Sequence, residues 1–243
     1  ASDVYKRQVG MNFRFLKDFN FDATWYQADT YNQTFNPNVP VDKYSKIYVQ
    51  TGKIRNWGME FALGFDHTWN NFSWASNMTY SFNKNVIKEL GRNAYNPVTG
   101  EKLDIDQLVM TDNQVGATRF ILREGGTMGD LYSMVDLQRD HNGNIYINPE
   151  GNVSTVSVAD KPIKLGSVLP KGNLAWSNSF TWKNLTASFM LSARFGGVVY
   201  SRTQAVLDYY GVSEATGQAR DRGFVSINNG DGINPEQWYN LVA

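Results

Sequence analysis

A regular alternation of apolar and polar residues is the feature that most constrains how this sequence can fold. Within residues 72–82 (FSWASNMTYSF) the even positions are mostly large and apolar, whereas the odd positions are small and uncharged. Residues 59–69 alternate in the same way, and only residues 70–71 separate the two segments. A period of two predicts β-strands, and the short separation predicts a hairpin. Two further hairpins are predicted, with turns at residues 17–18 and 183–184.

Three properties of these strands favour a β-barrel in a membrane over a soluble β-sandwich. Residues 72–82 are long enough, because a tilted strand needs about 9–11 residues to cross a bilayer. Aromatic rings gather at both ends of the apolar faces, where amphipathic rings meet the membrane interface. The polar faces carry Ser, Thr, Asn and Ala more than Lys and Glu, which suits a crowded lumen. Helical membrane proteins are excluded, since no apolar run approaches the roughly 18 residues that a membrane helix needs.

The predicted fold class is therefore all-β, an antiparallel transmembrane β-barrel segment with long extracellular loops. Residues within the apolar faces are predicted to face lipid: Phe61, Leu63, Phe65, Trp74, Met78, Phe180, Phe189 and Leu191. Rings near the ends of these faces are predicted to form an interfacial girdle: Trp69, Phe72, Tyr80, Phe82 and Trp182. A sheet in lipid cannot leave open edges. Either the chain closes a small barrel, or further strands come from residues outside it.

Long irregular stretches separate the hairpins, at residues 29–46 and 91–172, and Gly, Asn and Pro punctuate them. Short turns alternating with long loops are typical of outer-membrane barrels, whose long loops face outward. Within these loops the sequence predicts short strands at residues 119–123, 131–138 and 144–147, and a short helix at residues 203–214.

Few residues offer catalytic or ligand-coordinating chemistry. The 23 Lys and Arg residues balance 23 Asp and Glu residues, so no basic field indicates nucleic-acid binding, and cysteine is absent. We interpret His67 as an interfacial residue and His141 as a solvated loop residue. Asp104 and Asp106 form a carboxylate pair, but such neighbours in a polar loop are usually just solvated. We therefore predict no enzyme activity, no catalytic residue, no metal site and no cofactor.

Four segments carry motifs of a known family. They are residues 52–60 (GKIRNWGME), 72–90 (FSW leading to NKNVIKEL), 123–132 (REGGTMGDLY) and 194–201 (RFGGVVYS). In this order they resemble the SusC/RagA-type TonB-linked outer-membrane transporters of the Bacteroidetes. The sequence departs from the family pattern at Trp57, among other positions.

The resemblance implies a barrel of 22 strands, of which this chain is a fragment of the C-terminal half. Residues 1–8 are interpreted as a scar or non-native tail. Residues 9–243 are interpreted as a partial TonB-dependent receptor barrel domain, with the plug and terminal strands missing. The implied partners are a SusD-like surface lipoprotein, outer-membrane lipids and the TonB complex, which would act through regions absent from this chain.

The predicted function is TonB-dependent import of oligosaccharides or peptides across the cell outer membrane. Flat aromatic rings can stack on sugars, so loop residues are the candidate substrate contacts: Tyr95, Tyr132, Tyr146 and Trp238, with Tyr209 and Tyr210 nearby. Packing within the loops, or contact with the lipoprotein, is the alternative role of these rings. The alternative functions are a passive porin-like or structural barrel and a soluble carbohydrate-binding β-sandwich.

Overall fold

The structure, a computed structural model, describes residues 2–35, 38–41, 44–46, 49–95, 100, 102–115, 118–228 and 230–242. In chain order the strands are β1 (Asp3–Phe15), β2 (Phe19–Phe35), β3 (Asn38–Val41), β4 (Tyr44–Lys46), β5 (Val49–Trp69), β6 (Phe72–Glu89), β7 (Gly91–Tyr95), β8 (Lys102–Ile105), β9 (Gln107–Val115), β10 (Thr118–Arg123), β11 (Asp130–Ser133), β12 (Val135–Leu137), β13 (Thr155–Ser157), β14 (Ile163–Ser167), β15 (Gly172–Trp182), β16 (Leu185–Phe195), β17 (Val225–Ile227) and β18 (Asp231–Ile233). The helices are α1 (Arg202–Tyr209), α2 (Glu214–Arg222) and α3 (Pro235–Val242).

Six long strands form one sheet in the order β1-β2-β5-β6-β15-β16, and every neighbouring pair is antiparallel. Shorter strands form a second sheet in the order β14-β11-β10-β9, together with two-stranded pairs. The predicted antiparallel all-β fold is confirmed. Within the described residues the six-stranded sheet does not close on itself.

Three tight turns join the hairpins of the large sheet at the positions that the sequence predicts. They lie between β1 and β2, between β5 and β6, and between β15 and β16. Lys17, Asn70 and Lys183 adopt positive φ angles of 62°, 45° and 52°, which a tight hairpin turn requires. Strand register places all three turns along one edge of the sheet, because Trp182 lies opposite Phe72.

Backbone hydrogen bonds also link neighbouring turns along this edge. The Asp66 N–H donates to the Asp18 carbonyl over 3.0 Å. The Lys183 N–H donates to the Asn71 carbonyl over 2.9 Å. Backbone hydrogen bonds therefore connect the three hairpins near their turns.

The first strand includes most of the segment that we interpret as a non-native tail. β1 begins at Asp3, which pairs with Tyr31, and Gln8 pairs with Tyr26. Strand pairing does not reveal the origin of these residues, so the interpretation of residues 1–8 stays a prediction.

Two different segments pair with β6 along the same edge of the strand. β15 pairs with β6 from Phe72 to Ser81, and residues 124–129 lie along the remainder. There the Ile87 N–H donates to the Gly126 carbonyl (2.9 Å), and the Gly125 N–H donates to the Ile87 carbonyl (2.8 Å). We call residues 124–129 the edge loop, because it satisfies backbone groups of β6 that β15 leaves unpaired.

Asp130 holds the edge loop in shape. Its carboxylate is 1% exposed and accepts hydrogen bonds from the Thr127 N–H (3.0 Å) and the Thr127 hydroxyl (2.6 Å). Gly126 has room for no side chain, because a Cβ there would lie 2.8 Å from Asp130 Oδ2. This packing gives a physical reason for Gly126 and Asp130 in the REGGTMGD motif.

The chain divides into two compact units, each with its own core. Residues 1–109, 121–130 and 167–198 form the first unit, and residues 110–120, 131–166 and 199–243 form the second. Buried residues of the first unit include Ile54, Ile87, Leu90, Ile121 and Leu122. In the second unit, partly buried side chains pack around three buried residues: Val153, Ile227 and Ile233.

The loop predictions are only partly correct. The strand predicted at residues 119–123 is β10, but the stretch at 131–138 divides into β11 and β12. Residues 144–147 are not a strand, since a single bridge between Arg139 and Ile145 is the only pairing the structure gives them. Polar turns flank these residues on both sides, so their pairing does not extend beyond this bridge.

The predicted helix at residues 203–214 is shorter than expected, and two further helices were not predicted. α1 ends at Tyr209, because Gly211 adopts a left-handed φ of 68°. α2 then begins after Ser213, whose hydroxyl accepts a hydrogen bond from the Thr216 N–H (3.2 Å) as an N-cap. None of the helices in the described part of the chain is long and apolar enough to cross a membrane.

Candidate functional site

The predicted lipid-facing residues lie on one face of the six-stranded sheet. Directly paired residues project to the same side of a sheet, and so do alternate residues of a strand. One central row pairs Leu63 with Met78, Met78 with Trp176, and Trp176 with Leu191. The same parity includes the other predicted residues: Phe61, Phe65, Trp74, Phe180 and Phe189. The structure thus brings all eight together, and their contact with lipid stays a prediction.

This face is apolar and solvent-exposed in the chain by itself. Met78 is 41% exposed, Phe189 is 45% exposed and Leu191 is 57% exposed. Ring contacts run across the strands, with centroids 4.9 Å apart between Phe65 and Trp74 and 5.9 Å apart between Trp74 and Phe180. An exposed aromatic surface of this extent marks an interaction site with a protein or a membrane.

The predicted girdle residues lie in two rows that bound the apolar face. Near the turn edge, Trp69 pairs with Phe72, and Phe72 pairs with Trp182. The Lys183 ammonium lies 5.2 Å from the centroid of the Trp182 indole. This edge therefore combines flat rings with a cation, as membrane interfaces do.

The second row lies at the opposite end of the same strands. It contains Tyr80 and Phe82, and the Phe82 ring contacts Trp57 edge-on with centroids 5.6 Å apart. Ten residues separate Phe72 from Phe82, about 33 Å along a strand, which projects to about 25 Å at a tilt of about 40°. That height matches the apolar band of a membrane barrel.

Sequence reasoning missed two members of the second row. In the sequence Trp57 is visible only as a departure from the family pattern, and Trp25 is not among the predicted girdle residues. Trp25 pairs with Met59, and Met59 pairs with Phe82, so Trp25 lies in the same row. The parity of β5 could have identified Trp57, because it is two residues before Met59.

Two polar side chains on the apolar face are paired with indoles. The Trp74 Nε1–H donates to Asn178 Oδ1 over 3.0 Å, and the Trp176 Nε1–H donates to Ser76 Oγ over 3.0 Å. Asn178 is 3% exposed, and its Nδ2 has no hydrogen-bond partner among the described residues. The rings therefore enclose Asn178, whereas the bond between Trp176 and Ser76 lies at an exposed position.

The opposite face of the sheet is small and polar, as the sequence predicts. The row beside Met78 pairs Gly64 with Asn77 and Asn77 with Ser177. The row beside it pairs Ala62 with Thr79 and Thr79 with Ala175. Short side chains leave this face open to a neighbouring domain or to water.

The candidate substrate contacts are not gathered in one site. Tyr146 is 40% exposed, whereas Tyr132 is 5% exposed, so the Tyr132 ring has no open face for a ligand. Trp238 packs against the core of the second unit. Tyr95 ends β7, and its side chain lies outside the described residues.

Three tyrosines do gather around a cavity of about 190 Å³ within the second unit. Tyr209, Tyr210 and Tyr239 line it, together with charged residues of all three helices. The Tyr209 and Tyr210 rings meet edge-on, with centroids 5.3 Å apart. Neither Tyr239 nor α3 was predicted, although Asn234 followed by Pro235 and Glu236 is a signal of a helix start.

The carboxylates noted in the sequence have structural partners. The Arg92 guanidinium lies 3.1 Å from Asp106, 3.8 Å from Asp104 and 2.5 Å from Glu124. His67 lies 2.8 Å from Asp18 of the first turn, through Nδ1. Within the described residues no group of His, Asp and Glu side chains could hold a metal ion.

Asp140 shapes a tight turn in the second unit. Its Oδ1 accepts hydrogen bonds from the Asn142 N–H (2.8 Å) and the Asn144 N–H (2.9 Å). Desolvation raises the pKa of the Asp140 carboxyl, but these backbone donors outweigh it, so the pKa lies below its ordinary value. The carboxylate is therefore a structural acceptor.

Comparison with known proteins agrees with this geometry. No protein-family model matches the sequence. The TonB-dependent receptor P26 of Formosa agariphila is 29% identical over 204 residues, which cover 74% of this chain and 19% of that protein. The chain is thus similar to a segment of a TonB-dependent receptor.

Solved structures share the fold of this chain. The RagAB peptide importer in its closed-closed state aligns with a TM-score of 0.57 and 15% identity, over 81% of this chain and 21% of that one. A second structure of the RagAB peptide transporter aligns with a TM-score of 0.56 and 15% identity, over 79% of this chain and 21% of that one. The chain therefore spans about a fifth of the length of these relatives.

Proposed function

We propose that this chain forms part of the wall of a TonB-dependent importer in the cell outer membrane. The carrying observation is the apolar face of six antiparallel strands, bounded at both ends by rows of aromatic rings. A lipid bilayer is the surrounding that such a face requires. The likeness to a TonB-dependent receptor supports energy coupling through TonB.

The proposed cargo is an oligosaccharide, bound with the help of a SusD-like lipoprotein at the extracellular mouth. Peptides are the second candidate cargo, because RagAB, which shares this fold, is a peptide importer. The mechanism is binding and translocation, in which no covalent bond is made or broken. The long loops would hold cargo, and the small polar face of the sheet would line the lumen.

Energy coupling is tested by uptake into cells that carry the full-length gene and the gene of its lipoprotein. We expect uptake of labelled oligosaccharides to stop when TonB is deleted, because the cargo path is closed without it. Labelled peptides are tested in parallel. Uptake that continues without TonB would instead show a passive channel.

The membrane-facing assignment is tested by placing a charge at the centre of the apolar face. Met78→Arg should abolish membrane insertion of the full-length protein, because an arginine facing the middle of the bilayer costs about 2–4 kcal/mol. Asn77→Arg is the matched control on the opposite face and should insert. Insertion is measured by membrane fractionation and by the shift of folded protein on unheated gels. Normal insertion of Met78→Arg would show that this face does not contact lipid.

A further inference from the structure

A pocket enclosed by α1, α2 and α3 has the features of a ligand site. All three helices belong to the second unit, and they surround a cavity of about 190 Å³. This volume is below the 300–1,000 Å³ of a site for a drug-sized molecule. The pocket therefore suits one ring of a larger ligand rather than a whole multi-ring molecule.

Aromatic rings provide the flat part of the pocket. Tyr209 is 55% exposed and Tyr210 is 72% exposed, so their faces are open to a ligand. The two rings stand at 89° to each other, and the half-buried Tyr239 of α3 adds a third ring to the lining. The negative face of such a ring attracts C–H groups with a partial positive charge.

Polar groups of both kinds surround these rings. Asp208 and Glu236 contribute carboxylate acceptors, and Arg220 contributes guanidinium donors. Gln204 donates to Asp208 Oδ1 over 2.8 Å, and Arg220 donates through Nη1 to the Gly211 carbonyl. These bonds hold the two charged groups in place, and each group has further acceptor or donor atoms besides those that the bonds use.

We propose that this pocket binds one pyranose ring of a neutral oligosaccharide. A sugar hydroxyl both donates and accepts hydrogen bonds, so it matches a lining in which carboxylates alternate with a guanidinium. The C–H face of the ring matches the tyrosines. The proposal rests on the proposed function and gives it a site in the loops, on residues that the sequence analysis did not combine.

The charge of the lining argues against an anionic ligand. Two carboxylates and one guanidinium give the pocket a formal charge near −1, which disfavours a phosphate or a carboxylate. A neutral polyol carries no such penalty.

The experiment measures equilibrium binding to the purified full-length receptor in detergent, without TonB. The probes are cellohexaose, laminarihexaose, maltohexaose, xylohexaose and mannohexaose, with hexa-alanine as the peptide. At least one sugar should bind. Tyr210→Ala and Glu236→Gln should each weaken it about tenfold, the effect of losing one good contact.

Matched controls separate the pocket from the fold. Phe224→Ala removes an exposed ring of the same unit, and Glu214→Gln removes a first-turn carboxylate of α2 as Glu236→Gln does in α3. Both controls should change the dissociation constant by less than about twofold. The proposal is overturned if no sugar binds, if Tyr210→Ala and Glu236→Gln bind normally, or if hexa-alanine is the probe whose binding these variants lose.

The binding experiment and the uptake experiment can fail separately. If sugar binding follows the expected variants but uptake is independent of TonB, the site stands and energy-coupled import is wrong. If uptake requires TonB but no sugar binds, import stands and the site is wrong.

Discussion

At the scale of single residues, the most unusual group is an amide enclosed on the apolar face. Asn178 accepts the indole proton of Trp74 within the aromatic rings, whereas its own Nδ2 has no partner in the described part of the chain. A polar group is costly in apolar surroundings unless it is bonded. The indole bond therefore has more effect here than the same bond would have in water.

A double-mutant cycle tests this bond. We expect Trp74→Phe and Asn178→Ala to show a coupling energy of about 1 kcal/mol, because each variant removes one end of a shielded hydrogen bond. The free energy of unfolding is measured in urea on the full-length receptor in detergent.

The second indole bond provides a matched control for this cycle. Trp176 donates to Ser76, but Trp176 is 38% exposed, so Trp176→Phe with Ser76→Ala should couple more weakly. Equal coupling in the two cycles would show that enclosure by the rings has no effect. A coupling near zero for Trp74 and Asn178 would show that the bond is not formed in solution.

At the scale of elements, the hairpins were predictable and the loop structure was not. Alternation and two-residue turns specify β5, β6, β15 and β16, because the side-chain period of a strand is visible in local sequence. The edge loop carries no such period. Its shape comes from Asp130 and from the unpaired backbone of β6, which are distant partners that no local pattern reveals.

The candidate site was predictable to a similar extent. Parity alone identified the residues that share the apolar face, including Met78 and Leu63. It could not separate the loop tyrosines, because exposure depends on the fold around each ring. Tyr132 is buried and Tyr210 is exposed, although both lie in irregular polar sequence.

Removal of Asp130 should open the edge loop without disturbing the rest of the sheet. In Asp130→Ala the Thr127 N–H and hydroxyl lose their acceptor, which costs about 1–3 kcal/mol. Exchange of the Ile87 amide proton, which bonds to Gly126, should therefore become about 10–100-fold faster. Hydrogen exchange followed by mass spectrometry measures it, with the exposed Asp160→Ala as control. Unchanged protection of Ile87 would show that Asp130 does not hold the loop.

The turn at Asp140 should depend on pH in a defined direction. Because its pKa is lowered on folding, the carboxylate contributes stability above the ordinary pKa of about 3.9, and this contribution is lost as the pH falls through the lower, folded pKa. Amide shifts of ¹⁵N-labelled Asn142 and Asn144 should therefore stay constant above about pH 4 and change in stronger acid.

A substitution without a titrating group provides the control for this turn. Asp140→Asn should abolish the acid transition at both amides, whereas Asp160→Asn, at an exposed position elsewhere in the unit, should leave it intact. An acid transition that survives in Asp140→Asn would assign it to another group.

At the scale of the whole molecule, the six-stranded sheet ends in two strands with a free side. All residues of β1 and of β16 are exposed. Unpaired strand edges recruit other strands, and an apolar face without lipid adds to the tendency to associate. The proposed barrel wall would therefore require more protein beside these strands and lipid around its apolar face.

Expression of the 243-residue chain by itself should demonstrate this dependence. In aqueous buffer it should form large aggregates, whereas the full-length receptor in detergent should be monodisperse. Size-exclusion chromatography with light scattering measures both. A soluble, monodisperse chain would contradict the barrel-wall interpretation and favour a soluble sheet protein.

The position at which the chain leaves and rejoins the sheet has an evolutionary consequence. The chain departs after β6 and returns as β15, which pairs directly with β6, so the intervening residues add nothing to the order of the wall strands. A gene could therefore exchange or lengthen the parts of this stretch outside the edge loop while the six-stranded sheet keeps its register. In the proposed importer, selectivity could then diversify within this stretch while the wall strands stay unchanged.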